Sequence, residues 1–207
     1  MKHSKQLFTA MAASLMLSVM SACSNPVAPP QQSSAPTAEA ETTEMSAAET
    51  TAAAEAFDPA KLPAIILTSE NLHNGVWDAD ISNTDKGSNR SPQLAWEPVE
   101  GAACYAVYMV DTTAGFWLHW KSGKVTETTL PAGWAPKTEY IGPYPPSGTH
   151  DYEIRVFALK EPVTEETSRF DAGNFGFDQM TAALNQGSSG TGNVLAYGTL
   201  TGTYTRQ

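Results

Sequence analysis

Between Tyr140 and Leu159 the chain reads YIGPYPPSGTHDYEIRVFAL, a turn rich in proline and glycine that passes without a break into an alternating strand. Pro143, Pro145 and Pro146 restrict the backbone while Gly142 and Gly148 free it, so the shape of the loop is largely preset. From Thr149 onward, Tyr152, Ile154 and Val156 fall on one face of a strand, and Asp151, Glu153 and Arg155 fall on the other. By the same parity His150 shares the face of Tyr152. An imidazole and a phenol at a strand mouth beside a preset loop are the makings of a small-ligand site. They are equally a common way to end an ordinary strand.

The rest of the globular part fits a mainly β domain. Cys104 to Val110, CYAVYMV, is a nearly all-apolar run of strand length, read as a central strand covered on both faces and ended by Asp111. Ala64 to Ser69, Phe116 to Val125 and Val194 to Thr205 read as further strands, and in the second of these Trp117 and His119 fall opposite Leu118 and Trp120. Asn71 to Arg90 is a polar loop or irregular hairpin anchored by Trp77, with His73 on its surface. Asn174 to Gln186 is the one convincing helix, followed by a flexible Gly/Ser turn from Ser188 to Asn193. Many strands with one or two peripheral helices point to a β-sandwich or barrel.

Residues 1–22 read as a secretory signal, with Lys2 and Lys5 ahead of an apolar run from Leu7 to Met20. Met20-Ser21-Ala22-Cys23 resembles the lipobox of bacterial lipoproteins, in which the cysteine is lipidated. That places the mature chain outside the cytoplasm, anchored to a membrane through Cys23. Residues 23–56 carry five glutamates and no basic residue, as expected of a disordered, self-repelling tether to a domain at 57–207. With Cys23 so explained, Cys104 is an unpaired buried thiol. A net charge of −10 leaves no basic stripe for nucleic acid.

Phosphate-loop, dinucleotide and nucleophile-elbow motifs are absent, and nothing calls for a cofactor or assigns a catalytic residue. Asp111, His119 and His150 could form a zinc site, but their spacing matches no recognised ligand pattern. An anion or small polar headgroup fits the same residues better, with His119, His150, the Tyr152 hydroxyl and the Gly142 amide as donors. The alternative is a pair of structural histidines satisfied inside the core.

Several segments together resemble the phosphatidylethanolamine-binding protein family, in particular its bacterial, Raf kinase inhibitor-like branch. They are Ser91-Pro92-x-Leu94-x-Trp96, the strand ending in Asp111, Trp117-x-His119-Trp120, the Tyr140 to Tyr152 stretch, Phe157-Ala158-Leu159 and Gly202-x-Tyr204, in the family's order. The resemblance implies a β-sandwich whose small pocket is lined by Asp111, Trp117, His119, Gly142, Pro143, His150 and Tyr152. It implies binding of a small anionic or phosphorylated group such as a phospholipid headgroup, with His119 and His150 as donors and Asp111 orienting an imidazole. A secreted inhibitor of a hydrolase or kinase acting through surface loops is the other role known in the family. This chain departs from the family pattern at Thr112-Thr113-Ala114-Gly115, where Pro-Asp-x-Pro is usual, and at Asp151, where arginine is usual.

Overall fold

The computed structural model describes residues 57–206. The expected signal, lipidated Cys23 and tether lie outside the described residues. Among those described, no helix is long and apolar enough to cross a membrane.

In chain order the elements are β1 (Leu72–His73), β2 (Val76–Trp77), β3 (Leu94–Ala95), β4 (Cys104–Asp111), β5 (Trp117–Val125), β6 (Thr129–Leu130), β7 (Thr149–Leu159), α1 (Phe177–Ala182), β8 (Gln186–Gly187), β9 (Gly190–Thr191) and β10 (Val194–Thr205). A six-stranded sheet runs β1-β2-β10-β7-β4-β5, and β3 pairs with β6 in a separate ribbon. The long neighbours β10, β7, β4 and β5 are antiparallel throughout. The domain is therefore mainly β with one short α-helix.

All eight residues of β4 are buried, because both faces of the sheet are covered. Tyr105, Val107 and Met109 join Ile154 and Val156 of β7 in a core shared with Leu94, Trp96 and Leu130 of the ribbon side. Ala106, Tyr108 and Val110 join Phe157, Leu159, Phe177 and Leu184 in a second core on the helix side. A run with no polar face is what two apolar layers select for. Cys104 is free and buried in the second core, where burial pushes its thiol's proton affinity up.

Three local expectations are corrected. Ala64 to Ser69 is not a strand: Ala64 bridges Tyr197 of β10 and Thr68 bridges Ala95 of β3, so the segment crosses between the two sheets. Alternation survives, with Ile65 and Leu67 buried and Ile66 exposed, yet neither sheet receives a second consecutive pair. The helix is shorter than Asn174 to Gln186, because Gly176 takes a left-handed conformation (φ +81°) and starts it late. Asn174 instead ties its loop together, its Oδ1 accepting from the Arg169 amide and its Nδ2 donating to Ala172 O. Gln186 begins β8, and the expected Ser188–Asn193 turn is the tip and return strand of the β8–β9 hairpin.

The third correction shapes the site. In the β4–β5 pairing, Trp120 opposes Met109 and Leu118 opposes Val110, which leaves His119 as the extra residue of a β-bulge. Leu118 therefore packs in the helix-side core while Trp120 packs in the ribbon-side core. The expected parity of Trp120 with Leu118 is broken by one inserted residue.

Candidate functional site

A cleft of about 500 Å³ opens at the end of the sheet where β4 finishes, lined by Asp111, Ala114, Trp117, His119, Tyr144, Pro145, Pro146, Tyr152 and Arg206. The register accounts for its centre: Asp111 is paired with both Trp117 of β5 and Tyr152 of β7, so three side chains from three strands meet on one row. The bulge adds His119 to the same face.

Asp111 is 3% exposed, and its carboxylate is fully engaged. Oδ1 accepts from the amides of Thr113 and Ala114, each at 2.9 Å, and Oδ2 lies 2.6 Å from His150 Nδ1. A carboxylate can only accept, so His150 donates from Nδ1. The departing turn at 112–115 is thus wound around Asp111. It is also tied to the other departing position, since the Asp151 amide donates to Thr113 Oγ1 at 2.9 Å and the Thr112 amide donates to Asp151 O at 3.0 Å.

His119 is held twice by one residue. The Ile141 amide donates to His119 O at 2.8 Å, and His119 Nδ1 donates to Ile141 O at 2.9 Å. Its ring meets Tyr144 and Tyr152 edge-on, with centroids 5.4 and 5.2 Å away. Burial pulls the imidazole's basicity down, and the Ile141 carbonyl, the Asp111 and Asp171 carboxylates and the Gly142 backbone offset this only in part. His119 is neutral at pH 7. An unfolded chain's histidine titrates near 6.5, so as pH falls through that value the unfolded state takes up a proton before the folded state does. The stability contributed by neutral His119 is complete above about pH 6.5 and is lost as pH drops toward its lower folded value. Urea melts between pH 7 and pH 5 should show a steeper loss for the wild type than for His119→Gln; parallel curves would contradict this assignment.

Tyr152 is fully buried, its ring stacks beside His150 at 6.4 Å, and its hydroxyl faces the Asp111 carboxylate without a hydrogen bond of regular geometry. Burial first, then the Asp111 carboxylate, raises the phenol's proton affinity far above its usual range, so it stays protonated.

Not every expected residue lies on the cleft. His150 sits one layer behind, against Asp111. The Gly142 amide is not available to a ligand, because it donates to Asn89 Oδ1 at 2.7 Å. Pro143 is buried off the cleft, its carbonyl accepting from the Asn83 amide at 3.0 Å. Conversely, sequence reasoning passed over Tyr144, Asp171 and Arg206. Asp171 straps two walls, its Oδ1 accepting from Trp117 Nε1 at 3.1 Å and from the Tyr144 hydroxyl at 2.7 Å. Burial and that carboxylate push the Tyr144 phenol up to about 12. Arg206 follows β10 beside Gly148, its amide donating to Gly148 O at 2.9 Å and its Nη1 to Pro145 O at 3.0 Å. The Tyr144-Pro145-Pro146 run carried a usable signal; Arg206 and Asp171 did not. Among the described residues, no group of three or more His, Cys, Asp or Glu is arranged to hold a metal ion.

The sequence model of the family described as phosphatidylethanolamine-binding protein matches residues 68–205. Among solved structures, a phosphatidylethanolamine-binding protein homologue from Chlamydia trachomatis superposes with a TM-score of 0.52 at 20% identity, over 70% of this chain and 99% of its own. YbcL of E. coli, described as a new member of the mammalian family, superposes with a TM-score of 0.49 at 22% identity, over 69% of this chain and 99% of its own. At 20% identity the first of these likenesses is one of fold. No curated protein matches the chain by sequence.

Proposed function

The chain belongs to the phosphatidylethanolamine-binding protein family, and from that premise we propose that it is a lipid-anchored, extracytoplasmic binding protein whose cleft recognises a small anionic or phosphorylated group. The observation that carries this reading is the Tyr152 hydroxyl, a buried donor of the cleft wall that the Asp111 carboxylate acts on but that makes no hydrogen bond of regular geometry in the protein. A buried polar group left unmade costs about 1–3 kcal/mol, a cost that a ligand oxygen would remove. Arg206 supplies the cleft's cation, and Asp111 does not oppose an anion strongly because three donors already converge on it. Trp117, Tyr144 and Pro146 supply an apolar rim for whatever the anion is attached to. The Cys23 anchor would hold such a domain near a membrane surface, on a tether of 33 residues from Ser24 to Ala56.

Isothermal titration with phosphate, acetate and phosphoethanolamine tests the binding. Saturable binding to at least one of them is expected, weakened about tenfold or more by Tyr152→Phe, as for loss of one hydrogen bond to a charged group. Silence toward all three from a folded protein would sink the reading. In the same work Cys23→Ser should move the protein from the membrane to the soluble fraction, and retention on the membrane would remove the anchor from the proposal.

A further inference from the structure

Resting on the anion-binding reading, we infer that the cleft selects a ligand that still carries an acidic proton, a phosphomonoester with one P–OH, over a phosphodiester or a fully ionised group. The inference comes from the hydrogen-bonding polarity of the cleft wall. A backbone carbonyl accepts and never donates, so the 2.9 Å contact of Nδ1 with Ile141 O places the ring proton on Nδ1. Neutral His119 then presents Nε2 as a bare lone pair. Nδ1 to Ile141 O is the one side-chain hydrogen bond of regular geometry that His119 makes among the described residues, although the Gly142 backbone also acts on the ring; the residue is 3% exposed and its ring is held edge-on by Tyr144 and Tyr152.

The groups around the ring leave one arrangement for a bound acid. From the end of β4, Asp111 faces it with both oxygens occupied. From the loop at 168–176, Asp171 faces it, already accepting from Trp117 and Tyr144. The Ile141 and Gly142 backbone lies on the third side, and His150 is turned to Asp111. The donors left for a ligand are the Tyr152 hydroxyl, which makes no hydrogen bond of regular geometry to the Asp111 carboxylate beside it, and the guanidinium nitrogens of Arg206 not spent on Pro145 O. Ionised ligand oxygens belong on Arg206 and Tyr152, and a ligand hydroxyl belongs on Nε2. An oxygen without a proton would set two lone pairs against each other in a buried site. Protonating His119 instead would place a charge where burial already disfavours it. A phosphomonoester, whose second ionisation lies near pH 6, offers both kinds of oxygen, whereas a diester offers only acceptors.

Titration of the full chain with inorganic phosphate, methyl phosphate and dimethyl phosphate across pH 5.5 to 8 tests this directly. Methyl phosphate should bind at pH 5.5 with no net proton uptake by the protein, read from paired buffers of different ionisation enthalpy. Its affinity should fall by up to about tenfold per pH unit above pH 6. Dimethyl phosphate should bind at least tenfold more weakly throughout, and inorganic against methyl phosphate separates a free anion from an esterified one. Equal affinity for the diester, affinity for methyl phosphate that is flat with pH, or uptake of a whole proton on binding at pH 5.5, where the ligand is already mostly the monoanion, would each overturn the proton requirement while leaving an anion cleft. No binding by any of the three would overturn both.

Discussion

Gly142→Ala is expected to destabilise the domain by about 3 kcal/mol or more, at the upper end for overpacking. A Cβ at this position would lie 1.9 Å from Ile81 O and 2.9 Å from Asn83 N, both main-chain atoms. The 81–83 segment cannot retreat easily, because Ile81 O accepts from the Tyr140 hydroxyl at 2.9 Å and the Asn83 amide donates to Pro143 O at 3.0 Å. Relief therefore requires breaking hydrogen bonds on both sides of the contact. Gly148→Ala in the same loop is the informative control. Gly148 is left-handed (φ +69°) but a Cβ there meets nothing within 4 Å, so its cost is conformational strain alone, about 1–2 kcal/mol. Gly123→Ala, with open space and no positive φ, should be near neutral. Urea denaturation with unchanged m-values would check the order, and Gly142→Ala no worse than Gly148→Ala would show that the 81–83 contact yields.

This first result changes the meaning of a motif residue. Gly142 was expected to lend its amide to a ligand, and it serves instead to let two backbones touch. What was legible in the sequence lay where one strand's pattern is decided by one environment. The all-apolar β4, the Tyr152/Ile154/Val156 face and the aspartate at the strand end all follow from period two and burial. What was not legible depended on relations between strands. The bulge at His119 inserts one residue and moves Trp120 to the other face, and no local propensity in Trp117-Leu118-His119-Trp120 announces it. Arg206 enters the cleft only because β10 pairs with β7 in a register that sets Thr205 against Thr149. Asp171 arrives from a loop whose residues have no period at all. Within the polar segment at 71–90 a local signal does mark its structure: Asn74-Gly75, both with positive φ, is a two-residue hairpin turn joining β1 to β2.

Asp111→Ala is expected to cost about 2–4 kcal/mol in stability and to remove ligand binding, because it strands three donors at once. Two are the amides of Thr113 and Ala114, which hold the turn after β4, and the third is His150 Nδ1. Water can reach the exposed Thr113 more easily than it can reach His150, so the partly buried imidazole carries the larger share of the loss. Asp111→Asn separates the two duties of the carboxylate. Its amide oxygen can keep both turn N–H groups, while its NH₂ meets His150 Nδ1 and forces the imidazole proton to Nε2. Asn should therefore recover most of the stability, within about 1 kcal/mol of wild type, and less of the binding. A double-mutant cycle of Asp111→Ala with His150→Ala should return a coupling of about 0.5–3 kcal/mol. If the two single losses simply add, the 2.6 Å contact is not what secures His150, and Asp111 acts on the cleft through the turn it caps. If Asn proves as costly as Ala, the charge of Asp111 rather than its geometry holds this end of the sheet together.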